Sequence, residues 1–89
     1  MDNNIISNIN SNTGFNYQLL KNHIIDIETN RQIIYFSILI NKLSKNCVIK
    51  SVYICDVSRD IISAKRIFNR ISECNTECET VNEIISEMI

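Results

Sequence analysis

Residues 33–40, IIYFSILI, decide the fold of this 89-residue chain, because seven of the eight are apolar or aromatic. As a β-strand this run would carry such side chains on both of its faces, and a strand of that kind needs cover on each side. We therefore predict that residues 33–40 form a middle strand of a β-sheet.

The segment before this run is typical of a second strand. Phe15, Tyr17 and Leu19 alternate with polar residues, which is the period of a half-buried strand. The isoleucines within residues 24–27 either continue that strand past a bulge near residues 21–23 or form a separate strand, and we favour the bulged single strand.

Two short polar connections predict an antiparallel meander. Thr29 and Asn30 separate two β-rich runs, and asparagine tolerates the left-handed conformation that tight hairpins require. The mainly polar residues 42–46 make the next turn, and residues 47–57 return as a third strand. The expected sheet therefore has three strands.

The remainder of the chain predicts two helices. Ser58 is placed as the N-cap of a helix that begins at Arg59, with Asp60 in its first turn. Thr80 and Glu83 form a capping box for a shorter helix that closes the chain. Apolar residues gather on one side of the first helix at helical spacing: Ile61, Ala64, Ile67, Phe68 and Ile71.

These elements predict an α+β fold, a three-stranded antiparallel β-meander followed by two amphipathic helices packed on one face. Residues 14–89 would make a single domain. Residues 1–13 are rich in Asn and Ser and hold too few apolar residues for a stable helix. We therefore expect them to form a mobile N-terminal arm that ends at Gly14.

The composition disfavours several classes of function. A net charge of −1 gives no overall field that would attract nucleic acid or an anionic membrane. No apolar run approaches the roughly 18 residues of a membrane span, and the first residues lack the pattern of a signal peptide, so we expect a cytoplasmic protein. The heavy use of Ile, Asn and Lys is typical of an AT-rich bacterial or phage genome.

One face of the predicted sheet is left without a helix, and it is only half polar. Its main apolar members are Ile33, Tyr35, Leu39, Val52 and Ile54. Leaving such side chains in water forgoes about 1.5 to 3 kcal/mol each, a large share of the roughly 5 to 15 kcal/mol that stabilises a small domain. A second cover is therefore expected: the arm, the chain at 21–28, a second copy or a different protein. A homodimer is the simplest choice.

Charge is segregated between the two predicted helices. Residues 59–72 carry four basic and one acidic residue, and residues 73–89 carry five acidic and no basic residues. Arg59, Arg66 and Arg70 fall on the side of the first helix opposite its apolar residues. This basic side favours a protein partner. A nucleic-acid backbone is the weaker alternative, because the acidic segment would repel it.

No combination of residues points to an enzyme, a cofactor or a metal site. Cys74 and Cys78 form one closely spaced pair, which leaves open a thiol or metal sensor, but the other two cysteines lack the spacing of zinc ligands. Cys47 and Cys55 are interpreted as small core residues. His23 is interpreted as a strand-edge residue without a catalytic partner.

The sequence from Val57 onward, VSRDIISAKRIFNRISECNTECETVNEIISEMI, resembles a family of short clostridial proteins of unknown function. The resemblance rests on a D(V/I)S…D start to the first helix, a break rich in Cys or Asn, and a final amphipathic helix. It covers roughly residues 15–89. It implies an N-terminal β-meander and brings no assigned activity.

The sequence thus favours a small, non-enzymatic cytoplasmic protein that binds another protein, as a homodimer or as the regulator of a partner. One alternative is a nucleic-acid-associated regulator that uses the basic side of the first helix. The other is a thiol or metal sensor that uses Cys74 and Cys78.

Overall fold

A four-stranded antiparallel sheet is the main element of the computed structural model, which describes residues 4–74 and 80–88. The elements follow in the order β1 Asn4–Asn10, β2 Phe15–Asp26, β3 Arg31–Ser44, β4 Cys47–Ser58, α1 Ile61–Glu73 and α2 Val81–Met88. The spatial order of the strands is β1-β2-β3-β4, so each strand pairs with its neighbour in sequence. The predicted middle strand lies within β3, an inner strand of the sheet.

The predicted fold class is wrong in its strand count. Residues Asn4–Asn10, expected within a mobile arm, form β1 and pair with β2, with Ile9 opposite Tyr17 and Ile5 opposite Leu20. An asparagine-rich segment has low strand propensity, but the unpaired backbone groups of β2 supply the hydrogen bonds that order it. The first three residues of the predicted arm, Met1 to Asn3, lie outside the described residues.

The helical part of the prediction is also corrected. α1 is the one full-length helix of the described ranges, with 13 residues, whereas α2 has only eight, about two turns. The structure is therefore mainly a β-sheet with one helix and a short second one. α1 begins at Ile61, two residues later than the predicted Arg59. α2 begins at Val81, directly after the predicted cap residue Thr80.

α1 begins at Ile61 because Asp60, and not Ser58, is its N-cap. Asp60 Oδ2 accepts a hydrogen bond from the Ser63 amide at 2.9 Å. Ser58 is the last residue of β4, and its Oγ accepts a hydrogen bond from the Asp60 amide at 3.0 Å. The serine thus orders the turn that leads into the helix, and the aspartate caps the helix itself.

The hydrophobic core lies between the helices and one face of the sheet, called here the helix side. α1 contributes Ala64, Ile67, Phe68 and Ile71, four of the five residues predicted for its apolar side. The other buried members of the core come from the strands and α2: Phe15, Tyr17, Leu19, Phe36, Ile38, Ile40, Val57, Val81 and Ile85.

Two register shifts in the pairing of β3 with β4 invert the predicted faces of Val52 and Ile54, which lie between them. Ile54 lies opposite Ile38 and Val52 lies opposite Ile40, so both pack against the core on the helix side instead of the open face. The register shifts between Lys42 and Leu43 and again between Phe36 and Ile38. Each bulge adds residues to one strand only, and alternation along a single strand cannot reveal it.

β2 is a single strand, as favoured from its sequence, but the expected bulge near residues 21–23 is absent from its pairing with β3. The two strands stay in step from Phe15 opposite Lys42 to Asp26 opposite Arg31. The predicted hairpin follows, and Asn30 closes it with a φ of +53°. Asparagine is the ordinary residue that accepts this left-handed conformation most readily.

Candidate protein-interaction site

The open face, the side of the sheet away from the helices, is polar over one half. Asn16 Nδ2 donates to Asn8 Oδ1 at 2.6 Å and to Asn10 Oδ1 at 2.8 Å. Its Oδ1 accepts from Gln18 Nε2 and from Asn41 Nδ2, at 3.1 Å each. These amides link β1, β2 and β3 side by side. A hydrogen-bonded polar layer of this kind needs no apolar cover.

In the other half of the open face, small polar side chains are buried and hydrogen-bonded to each other. Ser37 Oγ donates to Asn22 Oδ1 at 2.7 Å and accepts from the Asp56 amide at 3.4 Å. Tyr35 and Leu20 beside them are buried. Tyr35, predicted as an interaction residue, therefore offers little surface. Burial raises the pKa of its phenol above the ordinary value of 10.0, with a further contribution from the neighbouring Cys55.

β2 and β3 continue beyond both of their neighbours. β1 pairs as far as Asn4, opposite Lys21, and β4 ends at Ser58, opposite Phe36. Residues 22–35 are therefore a two-stranded ribbon among the described residues, and we call this segment the isoleucine hairpin. A two-stranded ribbon is marginal in water by itself, so this segment depends on the sheet at its base.

The isoleucine hairpin exposes aliphatic side chains on both faces. Ile27 at its tip is 93% exposed, and Ile25 is 66% exposed. Ile24 and Ile34 are 46% and 37% exposed, and Ile33 is half-buried. Single exposed apolar residues are ordinary, but several of them on one projecting element are typical of a protein-binding surface.

A groove of about 540 Å³ lies at the base of the isoleucine hairpin on the helix side. We call it the base groove. Its apolar residues are Ile6, Ile34, Phe36 and Ile61, and its charged residues are Lys21, Arg59 and Asp60. The groove lies where β1, the isoleucine hairpin and the start of α1 meet.

The predicted basic side of the first helix is divided in two. Arg66 and Arg70 are exposed on the outer surface of α1, together with Lys65. Arg59 precedes the helix and lies at the base groove, where its guanidinium is 3.5 Å from the Asp56 carboxylate. Because Asp60 is the cap, the three arginines do not form one continuous stripe.

The cysteines that the structure describes do not lie in the hydrophobic core. Cys47, Cys55 and Cys74 are free thiols and all three are exposed, so the interpretation of Cys47 and Cys55 as core residues is wrong. Cys78 lies outside the described residues, and so does its predicted relation to Cys74. Within residues 4–74 and 80–88, no three His, Cys, Asp or Glu side chains gather as a metal site would require.

The structure scatters the eight residues predicted for protein interaction. Ile33 and the buried Tyr35 lie on the isoleucine hairpin, and Arg59 lies at its base. Val52 and Ile54 lie on the helix side, and Leu39 is half-buried on the open face. The prediction missed Ile24, Ile25, Ile27 and Ile34. Their signal was an isoleucine cluster on both sides of the predicted turn, but nothing local shows that β1 and β4 stop short of it.

No protein-family model, curated protein or solved structure matches this chain. Among the described residues, neither helix has the length and apolar character needed to cross a membrane. The candidate site is therefore defined by its geometry, as an exposed aliphatic hairpin with an apolar groove beside it.

Proposed function

We propose that this is a small, cytoplasmic, non-enzymatic protein that works by binding another protein chain through the isoleucine hairpin. One observation carries the proposal: the hairpin extends beyond its neighbouring strands with four isoleucines exposed over both faces. Fully burying one exposed isoleucine is worth about 1.5 to 3 kcal/mol. Burying the exposed parts of Ile25 and Ile27 is therefore worth about 2 to 5 kcal/mol, before the entropy cost of association is subtracted.

The charges of the hairpin favour a protein partner over a phosphate-bearing one. Asp26 and Glu28 lie on either side of Ile27 at the tip, and Arg31 lies opposite Asp26. Two carboxylates beside the most exposed apolar side chain would repel anionic lipid and nucleic acid. A mixed aliphatic and charged surface is what protein interfaces use at their centre and rim.

The edges of the sheet do not favour binding by strand addition. β1 has a register shift between Ile5 and Ser7, and β4 has shifts near both of its ends. Bulges of this kind twist an edge and interrupt its row of free backbone groups. The side chains of the hairpin, and not the backbone of an edge strand, are therefore the proposed binding element.

The test replaces the two most exposed residues of the hairpin, as Ile25→Lys with Ile27→Lys. The matched control is Val48→Lys with Ile49→Lys, two residues that are 56% and 59% exposed on β4. Both double variants should keep the circular dichroism spectrum and thermal midpoint of the parent to within a few degrees, because exposed positions contribute little to folding.

The readout is association, measured with purified components. Self-association is followed by analytical ultracentrifugation, and partners captured from a lysate are purified and titrated calorimetrically against each variant. We expect the hairpin variant to lose binding by at least about tenfold and the control to bind as the parent does. Equal binding by all three proteins would refute the proposed role of the hairpin.

A further inference from the structure

The tip of the isoleucine hairpin has a distinctive chemistry. Ile25 and Ile27 are its most exposed apolar side chains, and Asp26 and Glu28 alternate with them along the chain. Ile25 lies on the helix side of the ribbon, opposite Gln32. The tip therefore combines an aliphatic surface with two carboxylates within four consecutive residues.

The base groove has the complementary chemistry. Its apolar part is made by Ile6, Ile34, Phe36 and Ile61. Lys21 and Arg59 place positive charge beside that surface, and Asp60 adds the carboxylate that caps α1. Arg59 already pairs with the Asp56 carboxylate at 3.5 Å, so Lys21 is the cation that meets an incoming carboxylate. An aliphatic segment with carboxylates on its margin fits such a groove both by burial and by charge.

The tip of one molecule cannot reach its own groove. Ile27 is six residues beyond Lys21 along an extended strand, which places it roughly 20 Å from the base. A tip that fills the groove therefore has to come from a second molecule.

A second copy of the same chain supplies both a tip for the groove of the first copy and a groove for its tip. If two hairpins lie antiparallel with their helix sides in contact, the tip of each reaches the base of the other. Ile25 and Ile34 share that side of the ribbon, so apolar surface would be continuous between the two tip contacts. The arrangement is isologous, with two equivalent contacts related by a two-fold axis.

We infer that the protein forms a two-fold dimer in which the Ile25 to Glu28 tip of each copy occupies the base groove of the other, with Glu28 facing Lys21. This inference rests on the proposed role of the hairpin and names its occupant. The contact differs from the homodimer expected from the sequence, which used the open face. Each groove is completed by a segment that the partner copy contributes.

Disulfide trapping tests this geometry directly. In a background with the four native cysteines replaced by serine, one protein carries Ile27→Cys and a second carries Arg59→Cys. Mixing the two under mild oxidation should give a covalent heterodimer within minutes. Pairing Ile27→Cys with Ile62→Cys is the matched control, because Ile62 is 76% exposed on the outer surface of α1. A cross-link in the control at the same rate, or none in the test pair, would overturn the inference.

A charge exchange tests the facing pair in the otherwise native chain. Glu28→Lys and Lys21→Glu should each weaken dimerisation about tenfold, because each creates two like-charge contacts per dimer. The chain carrying both changes should regain affinity to within about threefold of the parent, since the pair is restored in reverse. Additive losses in the double variant would rule out the facing pair.

Ultracentrifugation separates failure of the dimer from failure of the proposed function. A chain that stays monomeric at about 100 µM overturns the dimer inference, because such a dimer would be too weak to matter. If the chain is monomeric but the Ile25→Lys, Ile27→Lys variant no longer binds a purified heterologous partner, the hairpin is the binding element. In that case only the assignment of a second copy to the base groove is wrong. If neither self-association nor any partner depends on the hairpin, both proposals fail.

Discussion

Ser37→Ala tests the bond that holds β3 against the irregular end of β4. Ser37 is the one polar residue of the run at 33–40, and it is fully buried. Its hydroxyl donates to Asn22 Oδ1 at 2.7 Å and accepts the Asp56 amide at 3.4 Å. Asp56 has a φ of +56°, so the hydroxyl supports a residue in a strained backbone conformation.

The expected loss follows from the burial of both side chains. Removing the hydroxyl takes one donor from Asn22, which is 1% exposed, and one acceptor from the Asp56 amide. Removing one partner from a buried hydrogen bond costs about 1 to 3 kcal/mol. That is a substantial part of the roughly 5 to 15 kcal/mol that stabilises a domain of this size.

Ser51→Ala is the matched control. Ser51 Oγ donates to Asn41 Oδ1 at 2.6 Å, a shorter hydrogen bond than either of those made by Ser37, but the pair is exposed. Water replaces the lost group there, so the expected change is within about 0.5 kcal/mol. The two substitutions delete the same atom from strand serines and differ in burial.

Urea unfolding followed by circular dichroism measures both effects. With a slope near 1 kcal/mol per molar, Ser37→Ala should lower the midpoint by about 1 M or more, while Ser51→Ala should leave it nearly unchanged. The slope itself should be the same for all three proteins, because the folded structure is retained. Equal midpoints for the two variants would refute the assignment of Ser37 as a buried link between strands.

Two further predictions concern single sites. Because burial raises the pKa of Tyr35, the folded state holds that proton more tightly than the unfolded state. Its stabilising contribution is full below pH 10 and is lost as the pH rises further, so unfolding midpoints measured from pH 9 to 12 should fall less steeply in Tyr35→Phe. Lys45 and Asn46 both have positive φ, of 52° and 65°, in the turn between β3 and β4. Replacing them with Asn and Gly should raise stability by about 1 kcal/mol in the same urea assay, and no gain would contradict a turn of the type I′ class.

Local patterns predicted those parts of the fold whose causes are local. The hairpin at Asn30 depends on one residue that tolerates positive φ, and the apolar side of α1 depends on spacing within one helix. The length of β3 was not predicted, because the strand was expected over residues 33–40 and a turn over residues 42–46, whereas β3 runs from Arg31 to Ser44. The N-cap was misplaced by two residues because Ser58 and Asp60 are both good caps, and the end of β4 decides between them.

The candidate site could not be predicted in the same way, because it depends on where other strands stop. The sequence pattern predicts strand residues covered by a neighbouring element at three positions of this site: Ile24, Ile25 and Ile27. Their exposure follows from the pairing of β1 as far as Asn4 and from the end of β4 at Ser58. Both limits are set by register, which a shift of one residue changes completely.

The amino-acid sequence by itself determined the inner strand at 33–40, the two turns beside it and the apolar side of α1, because each is specified by residues adjacent in the chain. Only the tertiary structure decided that an asparagine-rich segment becomes β1, that Val52 and Ile54 turn toward the helices, and that the isoleucine hairpin projects. Those features arise from hydrogen bonds between strands distant in sequence, and a bulge in one partner changes what every later residue faces.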